Sequence, residues 1–423
     1  ASGATSQSVC NVTVSGGNFL TLSPGSGQTV SLTATSLSQG DGGMLTLRTD
    51  GTLGTDASLN IGFSTLGRWA TVQSASDTGT QFATTDGSGN VLPLAWTSSA
   101  TGGTPLASAG VSDVYLADAA QTITASQTID SLGLSADVNL DNSAVLTLSG
   151  GGIVFRDTGS TLGQSGGRGA VASGAGSGDL YVTSGGNQDS AYAINAEIVD
   201  NGFTPTRLVK GGSGQLILGN GGTNSYTGGT VVSGGRLRLN NAGALGSGTL
   251  DIRPGGQVFA VVGSNTIANN LVLAGLGSAD GSANNYGALR IENSTTFSGS
   301  VSIPEAARIN VSGSGSTASF TGVVSGSGDL ELRSLSGGLS YGVFTNSSNT
   351  FSGRWIVSDS GAVLRMASDA AFGPAPFSLV KDAIVLDGGR MQFGSSGSGA
   401  SFTLDANRGI WLPTAGVNGY LHT

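Results

Sequence analysis

The chain has 423 residues, of which 73 are glycine and only 10% are charged, whereas soluble domains average about 7% glycine and about 25% charged residues. Its two lysines are Lys210 and Lys381, and this scarcity excludes a helix bundle or coiled coil, whose surfaces are built from Glu and Lys. The net charge of −9 argues against a nucleic-acid partner, because phosphate binding needs clustered Lys and Arg.

The amino-terminal segment ASGATSQSVC is small and polar, which is typical of a mature or excised terminus after removal of a signal peptide. Cys10 is the single cysteine, so an internal disulfide is excluded, and we predict a buried side chain with an intermolecular partner as the alternative. No run of eighteen apolar residues occurs, so no membrane-spanning helix is predicted.

Short segments in which apolar and polar residues alternate recur along the chain, bounded by Gly, Ser, Asn or Asp. This period of two predicts half-buried β-strands. In chain order, examples are NVTVSGG from Asn11, VSLTATSL from Val30, MLTLRTDG from Met44, DVNLDNSAVLTLSGGG from Asp137, GQLILG from Gly214, RLRLNN from Arg236, GTLDIRPGG from Gly248, ALRIEN from Ala288, DLELRS from Asp329 and AIVLDGG from Ala383. The best helical candidate, ASDAAFG from Ala367, is no longer than a turn.

Two stretches interrupt the alternation, residues 64–111 and residues 165–206. We predict β-solenoid coils over 1–63, a loop or hairpin excursion over 64–111, and further coils over 112–423 with a second excursion near 165–206. Disorder is the alternative for both excursions, because they are rich in Gly, Ser and Thr.

Many short strands are compatible with a sandwich, a barrel, a propeller or a solenoid. An internal repeat indicates which of these fold classes applies. Gly214 matches Gly328 at an offset of 114 residues, and Arg238 matches Arg365 at an offset of 127. Unequal offsets mean insertions between the coils. A solenoid accommodates them best, because each coil contacts only its neighbours.

The stretch LVKGGSGQLILGNGGTNSYTGGTVVSGGRLRLNNAGALGSGTLDI, residues 208–252, resembles the autotransporter-associated β-strand repeat, also called the passenger-associated transport repeat. A more diverged copy covers residues 322–391, where Phe351 replaces Tyr226. The resemblance implies a right-handed parallel β-helix displayed outside a bacterial cell. Asn residues at successive turns are expected to hydrogen-bond along the stack, as side-chain amides do in cross-β ladders.

Catalytic chemistry has little support in the sequence. The single histidine is His422, which excludes most metal and triad chemistry. Two GxSxG strings, from Gly163 and from Gly338, match what chance gives in a chain this rich in Gly and Ser. We predict no catalytic residue, no cofactor site and no metal site; the nonapeptide pattern of calcium-bound β-rolls is also absent.

The enzymatic alternative is a polysaccharide lyase or hydrolase, whose site needs carboxylates on adjacent coils. We interpret the candidate carboxylates as solvated turn residues. Likewise, four tryptophans that could stack on sugars are interpreted as core or coil-capping residues. The carboxylate sets are Asp41 with Asp50 and Asp56, Asp137 with Asp141, Glu305 with Arg308, and Asp382 with Asp387; the tryptophans are Trp69, Trp96, Trp355 and Trp411.

The sequence therefore predicts a non-catalytic, extracellular structural or adhesive β-solenoid at a bacterial cell surface. Expected partners are further copies or repeats of the same chain, surface glycans or other cell-surface proteins. Self-association is expected because the segments at residues 8–23 and 401–423 are both strand-like, and uncapped coils invite further strands. A fibre subunit without adhesive activity is a further alternative.

Overall fold

A computed structural model describes residues 4–422 apart from 51–52, 54, 63, 65, 75–78, 165–167, 188, 220–221, 279–285, 336, 395–401 and 414–418. The chain divides into two compact units, Ala1–Arg236 and Leu237–Thr423. The predicted segments 1–63 and 64–111 both lie in the first unit, and part of the predicted second excursion, 165–167, lies outside the described residues.

The first unit consists of short strands and one turn of 3₁₀ helix, Leu106–Ser108. Its strands are β1 (Thr5–Val14), β2 (Gly17–Leu22), β3 (Val30–Gln39), β4 (Met44–Thr49), β5 (Ala57–Asn60), β6 (Ala70–Ser74), β7 (Gln81–Thr85), β8 (Val91–Pro93), β9 (Ser98–Ser99), β10 (Val114–Ala117), β11 (Gln121–Ile123), β12 (Gln127–Leu134), β13 (Val138–Leu140), β14 (Val145–Phe155), β15 (Thr161–Leu162), β16 (Ala170–Ser173), β17 (Asp179–Ser184), β18 (Ala191–Ile194), β19 (Glu197–Ile198), β20 (Arg207–Gly211), β21 (Gln215–Leu218) and β22 (Thr230–Val232).

The second unit has the same character, and the division between the units falls within β23 (Gly235–Leu239). Its other strands are β24 (Leu250–Ile252), β25 (Gly256–Ala260), β26 (Thr266–Ile267), β27 (Leu271–Leu273), β28 (Leu289–Ile291), β29 (Thr295–Phe297), β30 (Val301–Ile303), β31 (Ala307–Val311), β32 (Thr317–Phe320), β33 (Val324–Gly326), β34 (Leu330–Arg333), β35 (Ser340–Phe344), β36 (Trp355–Ser358), β37 (Ala362–Met366), β38 (Val380–Asp387), β39 (Arg390–Phe393), β40 (Arg408–Trp411) and β41 (Tyr420–His422).

Within each unit, successive coils stack by parallel strand pairing. In the first unit the sheets follow the orders β1-β3-β5, β2-β4-β6-β7-β8, β9-β10-β12-β14-β17-β20-β22 and β11-β13-β15-β18-β21. In the second they follow β24-β27-β30-β33, β25-β28-β31-β34-β36-β38-β40 and β26-β29-β32-β35-β37-β39-β41. The predicted all-β parallel β-helix, or β-solenoid, is therefore confirmed.

Coil length varies widely, as the unequal repeat offsets predicted. Val114 pairs with Ser131, 17 residues later, whereas Thr161 pairs with Ala193, 32 residues later. The difference is taken up by connecting loops, since each coil needs only its strands in register with its neighbours.

Inward side chains of successive strands stack on one another in the interior. In the second unit, Phe297, Phe320 and Phe344 occupy equivalent register positions on β29, β32 and β35. Their ring centroids are 5.1 and 4.7 Å apart and the rings are nearly parallel. These separations are close to the strand spacing of about 4.8 Å, so like residues on successive coils form one continuous aromatic column.

Residues 64–111 combine two coil strands, β6 and β9, with a hairpin. β6 pairs in parallel with β4, while β7 and β8 continue the same sheet as antiparallel strands. The segment from Ala367 contains a 3₁₀ helix, Asp369–Phe372, that ends at Gly373, as its single-turn length predicted.

Cys10 is exposed, so the prediction of a buried side chain was wrong. It lies on β1, which pairs with one neighbour, β3, among the described strands. Most residues of β1 are exposed.

Candidate functional site

The carboxylates proposed for an enzymatic site are engaged in separate local contacts. Asp41 accepts from the Nη1 of Arg207 at 2.5 Å, and Asp50 accepts from the hydroxyl of Ser23 at 2.6 Å. Asp137 and Asp141 flank β13 rather than lying on it, and Asp137 accepts from both the backbone N–H and the hydroxyl of Thr161 on the next coil.

The remaining candidate pairs also have other partners. Arg308 pairs with Glu331 at 2.8 Å instead of with Glu305, which is exposed. Asp382 accepts from Arg354 at 3.1 Å. Across the described part of the chain, no group of three or more His, Cys, Asp or Glu residues could hold a metal ion.

The second GxSxG string forms no nucleophile site. Ser340, in the second string, is buried on β35, and its hydroxyl donates to the carbonyl of Gly313 at 2.7 Å. Ser165, in the first string, lies outside the described residues.

The tryptophans divide into buried and exposed residues. Trp69 and Trp355 are buried, and Trp96 is half-buried with its ring 6.3 Å from that of Phe82. Trp411 is 48% exposed, so it is not a core residue, and the coil-capping role that was predicted as the other possibility stays a prediction. Its strand, β40, has a pairing partner on one side only among the described strands, and no coil described there covers the other side.

Carboxylates neutralise the arginines along the sheet that contains β31, β34 and β36. Arg333 pairs with Asp359 at 2.7 Å, and Arg354 pairs with Asp329 at 2.5 Å. The hydrogen bond from Arg354 holds the pKa of Asp329 below its usual range, which keeps that carboxylate ionised and unsuited to donate a proton.

Three sheets contain no acidic residue in any strand: β1-β3-β5, whose strands carry no charge at all, and two sheets that carry arginine. The two with arginine are described next. In the first unit, the sheet β2-β4-β6-β7-β8 has Arg48 as its one charged residue. In the second unit, the sheet β26-β29-β32-β35-β37-β39-β41 carries Arg365 and Arg390, with His422 in its last strand. We call these two the acid-free sheets. They are the positively charged strips of a chain whose net charge is −9.

Each acid-free sheet holds one arginine in the same setting. In the second unit, the guanidinium of Arg365 lies 3.6 Å from the ring centroid of Tyr341, and its Nε donates to the Oε1 of Gln392 at 2.7 Å. Tyr341, Arg365 and Gln392 come from the consecutive neighbours β35, β37 and β39. We call this set the second ladder.

The first unit repeats the arrangement with a different ring. The guanidinium of Arg48 lies 3.7 Å from the ring centroid of Phe19, and its Nε donates to the Oε1 of Gln73 at 3.0 Å. These residues come from β2, β4 and β6. In both ladders the glutamine is in register with the arginine, and the ring lies two residues away on the preceding strand. We call this set the first ladder.

The environment of both arginines is half-buried and cationic. Burial lowers the pKa of Arg48 and of Arg365 from the ordinary guanidinium value, yet that value is so high that both side chains stay charged. Ring and glutamine together fix the plane of each guanidinium. The ladders are therefore rigid, positively charged positions on the outer face of a sheet.

Sequence reasoning missed both ladders. Their members lie 25 and 27 residues apart between arginine and glutamine, and coil length is too irregular for that spacing to be read in advance. The signal that existed was the absence of Asp and Glu from the strands involved.

These features define a β-solenoid protein whose outer faces carry charge and aromatic rings on a stacked framework. The passenger-associated-transport-repeat family model matches residues 208–239, which confirms the resemblance drawn from the motif. The chain thus contains a passenger-associated transport repeat within a β-helix. Among the described residues, no helix is long and apolar enough to cross a membrane.

A curated relative is similar over much of this chain. The "Adhesin BmaC autotransporter" of Brucella suis biovar 1 (strain 1330) is 28% identical over 254 residues, which are 59% of this chain and 6% of that protein. The chain therefore matches a small part of that relative. No solved structure matches the chain.

Proposed function

We propose that this chain is a non-catalytic adhesive segment of a surface-exposed or secreted passenger β-helix. The observation that carries the proposal is the repeat itself: a passenger-associated-transport-repeat at residues 208–239 lies within stacked parallel coils. The similarity to a protein named as an autotransporter adhesin supports the same assignment.

The structure of the candidate carboxylates supports the non-catalytic part. Retaining glycosidases need two carboxyl groups about 5 Å apart, and inverting ones about 6.5–9.5 Å apart, around an open cleft. Asp50 and Asp137 instead hold turn and strand residues of adjacent coils, and Asp329 and Asp382 share Arg354. These carboxylates take part in contacts between coils, which supports a structural role for them.

Adhesion is tested with the purified full chain coupled to fluorescent beads. Beads carrying the chain should bind cultured animal cells several-fold more than beads carrying an inert protein of similar charge. Equal binding of the two bead types would overturn the adhesive assignment.

Catalysis is tested separately by incubating the protein with acidic and neutral polysaccharides and measuring new chain ends. We expect none. Cleavage that disappears in Asp382→Asn, with the fold preserved, would overturn the non-catalytic assignment and favour the lyase or hydrolase alternative.

A further inference from the structure

We propose that the two ladders bind acidic polysaccharides, with the guanidinium groups of Arg48 and Arg365 contacting carboxylate or sulfate groups of the glycan. This inference rests on the proposed adhesive function and specifies the chemistry of its ligand. It depends on three properties of the ladders: a fixed guanidinium, the absence of acidic residues from the surrounding strands, and a second cation beside one of them.

The guanidinium of Arg365 is held so that its outer nitrogens face away from its supports. Its Nε is occupied by Gln392 and its flat face by Tyr341. The two Nη groups make no hydrogen bond with a described residue. These are the nitrogens that form paired hydrogen bonds with a planar or tetrahedral oxyanion. Because the ring and the amide already fix the side chain, little further ordering is needed on binding.

Arg48 presents a related geometry. Its Nε is held by Gln73 and its face by Phe19, while Nη2 donates to the hydroxyl of Ser213 at 3.3 Å. This partner is a neutral hydroxyl, and the carboxylate of Asp50, two residues along the chain, accepts from Ser23. Two ladders of the same construction, one in each unit, give one chain two sites for a repeating polyanion.

Arg365 differs from other arginines of the second unit in the charge of its neighbours. Arg333 is paired with Asp359, and Arg354 with both Asp329 and Asp382. An anion approaching those residues must compete with resident carboxylates. The strands around Arg365 supply none, so an anion gains the full attraction of the guanidinium there.

A second cation lies next to the second ladder. Arg390 is on β39, in register with Val363 and two positions from the strand partner of Arg365. With strands about 4.8 Å apart and a rise of about 3.3 Å per residue, the two Cα atoms are about 8 Å apart. Arg390 is also placed against a ring, 4.2 Å from the centroid of Tyr420. Two cations in a row suit a ligand with repeated negative charges.

A polysaccharide fits this surface better than a nucleic acid. Nucleic acids carry a charge on every residue and need many clustered cations to bind. The ladders offer one or two arginines each on a chain of net charge −9, which is too few for the extended run of phosphates on a nucleic acid and suits local recognition of a carboxylate or sulfate group on a glycan.

The test uses the full chain and surface plasmon resonance on immobilised heparin, with hyaluronate, neutral dextran and double-stranded DNA as parallel surfaces. We expect binding to heparin or hyaluronate at low ionic strength that weakens as salt is added, and no binding to dextran. Response on heparin alone assigns sulfate as the anion, and response on hyaluronate assigns carboxylate.

The variants remove one positive charge at a time. Arg365→Gln and Arg48→Gln should each weaken binding roughly tenfold, because each removes charge-assisted hydrogen bonds, and the double variant should weaken it further. Arg354→Gln makes the same change in net charge at a carboxylate-paired arginine and should stay within about twofold of the unchanged protein. Thermal unfolding checks that each variant is folded. Arg365→Lys, which keeps the charge and loses the planar fork, should give an intermediate affinity.

Several results would overturn the inference: no binding to either acidic glycan, tighter binding to DNA than to heparin, or an equal loss in Arg354→Gln and Arg365→Gln. If beads adhere to cells and neither soluble heparin nor the double variant reduces adhesion, the inference fails while the adhesive function stands. If heparin binds through the ladders and the beads do not adhere, the adhesive function fails while the glycan site stands.

Discussion

The two copies of the passenger-associated repeat share a turn but differ in which strands that turn brings together. In the first copy, the strand after the Asn-x-Tyr turn, β22, pairs with β20, the strand that precedes the Gly-x-Leu strand β21. In the second copy, the strand after the equivalent turn, β36, pairs with β34, which is the Gly-x-Leu strand itself. Counted from the motif, the strand partner in the second copy is therefore one strand later in the chain than the partner in the first copy.

An inserted strand explains the difference. Ten residues separate Gly214 from Asn224, and 21 separate Gly328 from Asn349. The additional residues form β35 (Ser340–Phe344), which has no counterpart between β21 and β22. A stack of coils accepts such an insertion, because a displaced strand still finds a parallel neighbour. The motif thus specifies a turn and leaves the choice of strand partner to coil length.

The turn itself is held in the same way in both copies. The Oδ1 of Asn224 accepts from the N–H of Ile198, 26 residues earlier, at 3.0 Å. The Oδ1 of Asn349 accepts from the N–H of Val324, 25 residues earlier, at 2.8 Å. Both asparagines bond along the stack, but to a backbone N–H of a neighbouring coil and not to another side-chain amide as in a cross-β ladder.

The interior beside the turn has diverged. In the first copy, the hydroxyl of Tyr226 lies 2.5 Å from that of Thr230. In the second copy, Phe351 and Trp355 occupy these positions and pack edge to face at 4.8 Å. A buried polar pair has been replaced by a buried aromatic pair on the same framework.

The largest expected effect comes from removing the aromatic pair. Trp355→Ala should lower the free energy of unfolding by about 4 kcal/mol, because a buried Trp leaves a large cavity. Its indole N–H bond to the carbonyl of Phe372 is lost as well. The equivalent change in the first copy, Thr230→Ala, should cost about 1 kcal/mol. Urea unfolding of the full chain measures both, and similar losses would show that the two interiors are equivalent.

Removing the turn asparagines tests the shared framework. Asn349→Ala should cost about 3 kcal/mol, because two buried backbone groups, the N–H of Val324 and the carbonyl of Ala371, lose their partner. Asn224→Ala should cost about 2 kcal/mol. Urea unfolding provides the measurement, with Asn201→Ala, at an exposed asparagine, as the control. A cost below that of the control would contradict a stabilising role for the stacked asparagines.

The first copy contains a buried lysine, and we expect it to make the free energy of unfolding depend on pH. Lys210, four residues before Gly214, is fully buried and donates to the carbonyls of Gly211 and Gly234 at 2.7 and 3.0 Å. Val324 holds the corresponding place in the second copy. Burial lowers the pKa of Lys210 from 10.5 to about 7.

Between pH 7 and pH 10.5 the unfolded state therefore binds more protons at Lys210 than the folded state. The free energy of unfolding should rise with pH across this window, by up to about 1.4 kcal/mol per pH unit. Lys210→Met should lack this slope, whereas Lys381→Met, at an exposed lysine, should keep it. Urea unfolding from pH 7 to pH 9.5 checks this, and a slope that persists in Lys210→Met would assign it to other groups.

The smallest expected effect comes from a substitution that makes the first copy resemble the second. Tyr226→Phe removes the buried hydroxyl that contacts Thr230 and introduces the residue found at Phe351. The expected cost is about 1 kcal/mol, since Thr230 is left without that hydrogen bond. Adding Thr230→Val should recover part of the loss, because both polar partners are then absent. A larger loss in the double variant, measured by urea unfolding, would contradict this account.

The sequence predicts the strands of the two ladders but not the contacts between them. The strands that carry Arg48 and Arg365 are visible in the alternation from Met44 and in the repeat copy over 322–391. Their partners Gln73 and Gln392 are not identifiable, because the loop between coils sets which residues come into register. The exposure of Trp411 also depends on its place at a sheet edge, whereas its apolar neighbours in the sequence predict burial.

The sequence by itself determined the class of fold and the positions of the turns. Alternation with period two sets strands, Gly and Asn set turns, and buried backbone groups must be paired between coils, which lets the chain fold with few charged residues. Tertiary structure alone decided which strands stack, and therefore that Phe19, Arg48 and Gln73 form one ladder and that Lys210 is enclosed by carbonyls. The physical reason is that strand pairing is specified locally only by the pattern of buried faces, while the register between coils follows from loop lengths that vary from one coil to the next.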